Sequence, residues 1–292
     1  MRVSDRSTFE LQRLSLMRSK RAWVDKQAQA ASGRRVTKPS DDPLATTQAI
    51  RERARAHRAE SHQRSIDVGH TRIDAAEGAL SSVADVLRRV QELTNQASND
   101  SIGAVERSAI AAEVVALRDS VHALANTRVD SGFVFAGYPD DVAPFDAAGV
   151  FVGSPDVLEL DVAPGVRVPV GVPGDATFSG AGGGVDVFVA FDDLITALQA
   201  NDEVGIRASI DTFEGAHAQV VEARTTLGAR TNALDVAGSV VTKIKDAAEA
   251  RQTELIGVDP LDAYSELQQA QFAFEAAVSV ASQLPGPSLV GR

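Results

Sequence analysis

Apolar side chains recur at steps of three and four along most of this chain, and at steps of seven along two long stretches. Leu14, Met17, Val24, Ala28 and Ala31 form the first stripe, with Arg21 at an intervening position. The spacing predicts an amphipathic helix that stops at Gly33. Its stripe is thin in large residues, poor for a core of its own and adequate for a coiled-coil seam. From Pro43 to Ser98 the chain contains no further proline; Ile66, Ile73, Leu80, Leu87 and Thr94 step by seven, with Val83, Val90 and Ala97 between them. One long helix or two collinear ones follow from that pattern, about 80 Å end to end if unbroken. Asn99–Gly103 is a turn cluster, after which Ile110, Val114, Leu117, Val121 and Leu124 predict a helix over Val105–Thr127, returning over the long one.

From Ser131 the character changes. Gly132–Gly137 is strand-like, Leu158–Val162 and Val166–Val172 alternate with period two, and six prolines fall between Pro139 and Pro173. These residues predict a small β-rich module between helical arms, closed by Gly180–Gly184. That glycine run lacks the Lys-Ser/Thr and the spacing of a phosphate-binding loop, so an exit loop is the better reading. Helical periodicity resumes at Phe191–Leu198, breaks at Asn201-Asp202, and runs from Val204 to Ile256 through Ile206, Ile210, Phe213, Val220, Leu227, Leu234, Val241 and Ala248. A final helix carries Leu261, Tyr264, Leu267, Gln271, Phe274, Val278 and Ala281 on one seam and is ended by Pro285-Gly286-Pro287.

Two joints separate the terminal helices from the rest. In Ser32–Pro43, Gly33 can close one helix in the left-handed conformation, Pro39 extends the chain, and Ser40, Asp41 or Asp42 can cap the next helix with Pro43 in its first turn. Gly257-Val258-Asp259-Pro260 repeats the device. The expected architecture is mainly α: an elongated antiparallel coiled-coil-like bundle with a β-rich insertion and pairing N- and C-terminal helices. Its parts are an N-terminal assembly helix and hinge (1–42), rod helices (43–131), the β module (132–189), a returning rod helix (190–256) and a C-terminal assembly helix (257–292). The proposed assembly seam consists of Leu14, Met17, Val24, Leu261, Tyr264, Leu267, Phe274 and Val278. Residues 1–31 and 260–284 are expected to order only when they pair in an assembly.

Composition narrows the function. The chain has 292 residues, no cysteine, one tryptophan (Trp23) and 5% aromatic residues, which fits Ala-, Val- and Leu-packed helices and excludes disulfides and thiolate chemistry. Its net charge of −11 is uneven: residues 1–72 hold 16 Lys/Arg against 8 Asp/Glu, and the remainder nets −19. A basic segment of this kind suits nucleic acid through Arg51, Arg55 and Arg58, but uninterrupted basic blocks and stacking aromatics are missing, so a solvated face steered toward an acidic partner is preferred. No apolar region follows Met1–Arg6, which predicts no cleavable signal, and no window is apolar enough to span a bilayer. The five histidines show no metal-ligand spacing, Asp41-Asp42 reads as a cap rather than a metal site, and no catalytic motif is present; neither an enzyme, a cofactor nor a metal is expected.

The segment Ser32-Gly33-Arg34-Arg35-Val36 with Pro39-Ser40-Asp41-Asp42-Pro43 resembles a signature of the bacterial flagellin superfamily. Leu87–Leu93 with Asn95-Gln96-Ala97, Ala125-Asn126-Thr127 leading to Gly132–Gly137, and Leu227-Gly228-Ala229-Arg230 with Asn232 are similar to further family motifs, in the right order. Pro39–Pro43 and the Phe135-Ala136-Gly137 segment look like the hook–filament junction branch rather than filament flagellins. The C-terminal residues Leu284–Val290 depart from the extended apolar end common in that branch. The resemblance implies a structural subunit joining hook to filament, secreted through the flagellar type III apparatus to the extracellular flagellum. Its implied partners are further copies, flagellin, another hook-associated protein and an export chaperone, with neither nucleic acid nor membrane insertion. A compact filament flagellin is the alternative within the superfamily.

Overall fold

The computed structural model describes residues 2–129 and 132–282. The predicted stop at Pro285-Gly286-Pro287 and the family departure at Leu284–Val290 lie outside them. The chain forms two compact units, one from Met1–Arg58 with Lys243–Arg292 and the other from Ala59–Thr242. Among the described residues there are seven α-helices: α1 (Arg2–Ser32), α2 (Pro43–Ala97), α3 (Ala104–Ala125), α4 (Gly174–Phe178), α5 (Val187–Ala200), α6 (Glu203–Ile256) and α7 (Pro260–Ser282). Four short strands, β1 (Arg128–Val129), β2 (Gly132–Phe133), β3 (Glu159–Ala163) and β4 (Val166–Pro169), form two separate antiparallel pairs, β1 with β2 and β3 with β4. The fold is mainly α, as the periodicity predicts.

In the unit Ala59–Thr242 the step-of-seven residues are the core. Ile66, Ile73, Leu80, Leu87 and Thr94 of α2 and Ile206, Phe213, Val220, Leu227 and Leu234 of α6 are all buried. Within this unit α2 and α6 run antiparallel: Arg224 pairs with Glu77 at 2.6 Å and His70 with Asp235 at 3.4 Å. Between them, Leu234 comes close enough to Gly69 that a Cβ there would meet it at 3.0 Å. The returning helix α3 is joined to α2 by Arg89–Glu113 at 2.8 Å and to α5 by Arg118–Asp192 at 2.7 Å. Arg107 locks the helix ends. Its side chain is buried, donating from Nε to the Ala97 carbonyl (3.0 Å), from Nη1 to Asn201 (2.7 Å) and from Nη2 to Glu203 (3.2 Å).

The β module is less regular than predicted. Only Gly132 and Phe133 of the strand-like Gly132–Gly137 pair as a strand; beyond them the Phe135 carbonyl accepts from Gly174 and the Ala136 carbonyl from Ser154. The reason is packing. Phe135, Phe145, Phe178 and Phe188 are buried together, with centroids 5.2–5.4 Å apart along Phe135–Phe178–Phe145–Phe188, and the chain bends to keep the rings in contact. Arg72 fastens this region to α2 through Asp140 (2.5 Å) and the Phe133 carbonyl (2.6 Å). The short helix α4 has no counterpart in the sequence reading, since five residues carry no measurable period. Helix α5 starts earlier than predicted because Asp186 caps it, accepting from the Val189 amide at 3.0 Å. At Gly180–Gly184 the amides of Gly183 and Gly184 donate to the Gly180 carbonyl, so the loop closes on itself and is a turn rather than a phosphate cradle.

Candidate assembly site

In the unit Met1–Arg58 with Lys243–Arg292, helices α1 and α7 pack along each other. They run antiparallel, with Lys26 paired to Glu266 at 2.5 Å and the Trp23 ring stacked on Phe274 at 5.4 Å between centroids, the planes 3° apart. Among the described side chains the covered positions of α1 are Gln12, Leu16, Ser19, Trp23, Lys26 and Ala30, with Gln29 beside the last, and those of α7 are Ala263, Leu267, Ala270, Phe274, Ala277 and Ala281. Both series alternate steps of four and three, the spacing of a coiled-coil seam. Only Ala263 is fully buried among them, so the seam is thin. Charge supports it: α1 carries seven Lys/Arg against three Asp/Glu, and α7 has three acidic residues and no basic one.

Of the eight residues expected on the assembly seam, Leu267 and Phe274 lie on the α1–α7 contact. Leu14, Met17, Val24, Leu261, Tyr264 and Val278 are exposed on other faces of the same helices. The hydrophobic stripe of α1 and its paired face are therefore different surfaces. The paired face contains Gln12, Ser19 and Lys26, whose polar ends hide it from a search for apolar periodicity; only Trp23 marks it, at the right spacing from Leu16. Phe272 adds to the exposed apolar set on α7.

The two predicted joints meet. Gly33 takes a φ of +65°, its amide donating to Gln29, and closes α1 as expected for a left-handed cap. Arg34 and Gly257 form an antiparallel bridge: the Arg35 amide donates to the Ile256 carbonyl at 2.8 Å and the Val258 amide to the Gly33 carbonyl at 3.2 Å. Arg35 also donates from its side chain to Asp42 (3.2 Å) and to the Leu255 carbonyl (3.1 Å), while its own carbonyl accepts from Gln29. Val36 is buried behind this bridge. Asp42 is the cap of α2, accepting from the Ala45 amide at 2.9 Å, with Pro43 in the first turn. Asp41 instead closes the Pro39-Ser40 turn, accepting from the amides of Lys38 (2.8 Å) and Thr37 (3.1 Å) and from the Thr37 hydroxyl. These donors set the electrostatics. The Lys38 amide and then the Thr37 hydroxyl hold the Asp41 carboxyl below its ordinary pKa; the Ala45 amide and then Arg35 do the same for Asp42. On the far side Asp259 caps α7, accepting from the Leu261 amide at 2.8 Å.

The other candidates carry structural contacts. Arg55 reaches Glu52 at 3.9 Å, and Arg51 lines an open cleft with Glu52, Arg251 and Glu254, a mixed-charge surface. His62 and His122 lie against the carbonyls of Asp161 and Asp146. Among the described residues no three His, Cys, Asp or Glu side chains are placed to hold a metal, and no helix is long and apolar enough to cross a membrane.

The Arg34–Gly257 bridge at the end of the α1–α7 pair places Ser32–Pro43 where α1 ends and α2 begins. The family model for the bacterial flagellin N-terminal helical region matches residues 8–139, and that for the C-terminal helical region matches residues 210–288. The chain belongs to the bacterial flagellin family. It is 26% identical to flagellar hook-associated protein 3 of Escherichia coli K12 and 25% identical to that of Salmonella typhimurium LT2, each over 99% of this chain and 98% of the relative. Among solved structures, a putative flagellar hook-associated protein from Vibrio parahaemolyticus has the same fold, with a TM-score of 0.69 at 24% identity over 74% of this chain and all of that one. Bacillus cereus FlgL superimposes with a TM-score of 0.60 at 20% identity, covering 70% of this chain and 99% of its own. The two flagellin regions bracket the β module, so the unmatched stretch 140–209 holds most of the insertion.

Proposed function

We propose that this flagellin-family chain is a structural subunit of the bacterial flagellum, joining hook to filament, with no catalytic role. It leaves the cell through the flagellar type III apparatus without signal cleavage and assembles as a short ring of copies, in contact with flagellin and another hook-associated protein, and is held before export by a chaperone. End-to-end likeness to proteins named flagellar hook-associated protein 3 supports this reading. The observation that carries it is the two-faced terminal pair. Helices α1 and α7 meet along a thin seam and leave Leu14, Met17, Val24, Leu261, Tyr264 and Val278 exposed. Such a pair buries too little to be more than marginally ordered in one copy, and its outer apolar stripes are covered when copies pack side by side. The pair thus alternates between open and closed in the monomer and is drawn closed by assembly.

Replacement of Leu267 or Phe274 by Asp tests this. Each places a charge on the seam, where it must be desolvated. Both variants are expected to keep the 59–242 unit folded while losing incorporation at the hook tip, scored by labelling isolated flagella. Normal junctions built from both variants would sink the proposal. A filament flagellin is the second reading, favoured by 22% identity to a flagellin of Halalkalibacterium halodurans over 87% of this chain. It predicts indefinite growth of the purified chain on hooks, where the junction reading predicts a short segment.

A further inference from the structure

Among the described residues most arginines of the 59–242 unit have a carboxylate or carbonyl partner, and Arg230 has none. Its Nη1 is buried and, among the described residues, has no hydrogen-bond partner. The neighbouring arginine on the same helix, Arg224, is paired with Glu77 by two hydrogen bonds of 3.0 and 2.6 Å. Leaving a buried charged donor unused costs more than leaving a neutral one unused, so an unpaired guanidinium inside a strongly acidic unit calls for an explanation. The unit has eleven Lys/Arg against twenty-seven Asp/Glu, which makes a missing carboxylate the more unusual. Burial alone, with no charge to oppose it, pulls the guanidinium pKa down from its ordinary value.

Arg230 lines a cleft of about 340 Å³ between α6 and the α4–glycine-loop segment. The other buried polar groups of the cleft are already satisfied. Gln219 accepts from the Val185 amide and donates to the Thr177 and Val185 carbonyls, and the Thr177 hydroxyl donates to Pro173. Thr226, one turn before Arg230 and on the same face, supplies a second donor at the wall. Arg230 and Thr226 together present a charged and a neutral donor to whatever enters. The exposed Glu222 stands at the same cleft a further turn away, about 12 Å from Arg230 along the helix axis.

We propose that this cleft is an intermolecular carboxylate site, in which Arg230 receives an Asp or Glu side chain from a second copy of this chain. The site rests on the reading that the chain assembles in multiple copies. A free inorganic anion gains little here: the surrounding field is negative, Glu222 lies at the cleft, and one half-buried guanidinium must overcome both. A carboxylate carried by a neighbouring copy arrives at high effective concentration and pairs with Arg230 away from water. Acidic copies otherwise repel one another, so a single recessed cation also fixes the register in which they can approach.

The chain has no cysteine, so Ala223→Cys places one thiol in the cleft wall, and Ala181→Cys on the exposed loop places one at its edge. The probe is maleimide labelling of the full-length variants as monomers and in assemblies grown on hooks. Labelling in assemblies should slow by roughly tenfold or more, as for a residue taken out of solvent by an interface. Adding Arg230→Gln should weaken association about tenfold to a hundredfold and restore labelling. Sodium acetate or phosphate should leave monomer labelling unchanged. Assemblies that form with both thiols unprotected would overturn the site while leaving the junction reading intact. Protection that survives Arg230→Gln, or that phosphate produces in the monomer, would also overturn it, the latter in favour of a free-anion site. Failure of the chain to assemble at all would remove both readings together.

Discussion

Phe274→Ala is the sharpest probe of the terminal pair because its partner is the sole tryptophan. Phe274 and Trp23 are half-buried against each other, stacked at 5.4 Å. Truncating a fully buried phenylalanine costs about 3–5 kcal/mol, and a ring covered on one side loses about half of that. The stack itself contributes about 0.5–1.5 kcal/mol beyond area burial. A loss of about 2–4 kcal/mol follows, which shifts the closed-to-open ratio of α1 and α7 by a factor of roughly thirty to a thousand. Trp23 emission then moves to longer wavelength as the indole meets water, and amide exchange along residues 10–31 accelerates to the rate of an open pair. Phe272→Ala is the internal control, since that ring is 69% exposed on the same helix and should change neither signal. If Phe274→Ala leaves emission and exchange at wild-type values in both monomer and assembly, or if Phe272→Ala gives the larger effect, the α1–α7 seam described above is wrong.

The joint and the core make further predictions. Gly33→Ala forces an alanine to a φ of +65° with no steric contact and should cost about 1–2 kcal/mol, whereas Gly257→Ala puts a Cβ 2.4 Å from the Thr253 carbonyl and should cost more; thermal melting of the two variants checks the order. The carboxyls of Asp41 and Asp42 titrate below their ordinary value in the folded joint, so their contribution is full above that value and is lost as pH falls through the depressed one. Protection of the Lys38 and Ala45 amides, relative to their intrinsic exchange at each pH, should therefore fall at acid pH, and the pH dependence of protection at Ala45 should disappear in Asp42→Asn. Arg107→Met strands the Ala97 carbonyl and the Asn201 side chain and should destabilise the 59–242 unit by about 3 kcal/mol, the low end for breaking a buried pair, because Glu203 remains 42% exposed; a urea midpoint unchanged from wild type would contradict this.

What was legible in the sequence follows from how each interface is built. The seams of α2 and α6 were readable because a large apolar residue, from Ile66 to Leu87 and from Phe213 to Leu234, returns at every seventh position and is buried at every one. The joints were readable because Gly33, Asp42, Pro43 and Asp259 stop or start their helices locally, the capping bonds of Gly33, Asp42 and Asp259 each spanning four residues or fewer. Their meeting was not, since the Arg34–Gly257 bridge is a long-range pairing between backbones, with no side-chain pattern to announce it. Arg230 was quoted only as part of a motif, and its unpaired state appears only once the neighbouring carboxylates are placed.

The two faces of α1 have a physical logic that bears on function. A helix that must bury one face in its own chain and another against a neighbouring copy divides its apolar residues between two surfaces. Leu16 and Trp23 lie on the inner face of α1, while Leu14, Met17 and Val24 lie outside. Periodicity reports the stronger stripe, which here is the outer one. The polar inner seam, held by Lys26–Glu266 and one aromatic stack, keeps closure of a single copy marginal. On the proposed reading, the apolar outer stripe favours closure once another copy covers it. Strengthening the inner seam, by Ser19→Leu for example, should thus slow Trp23-reported opening in the monomer. If the outer stripe drives assembly, the same change should leave the extent of assembly on hooks nearly unaltered, whereas Met17→Ser should do the reverse.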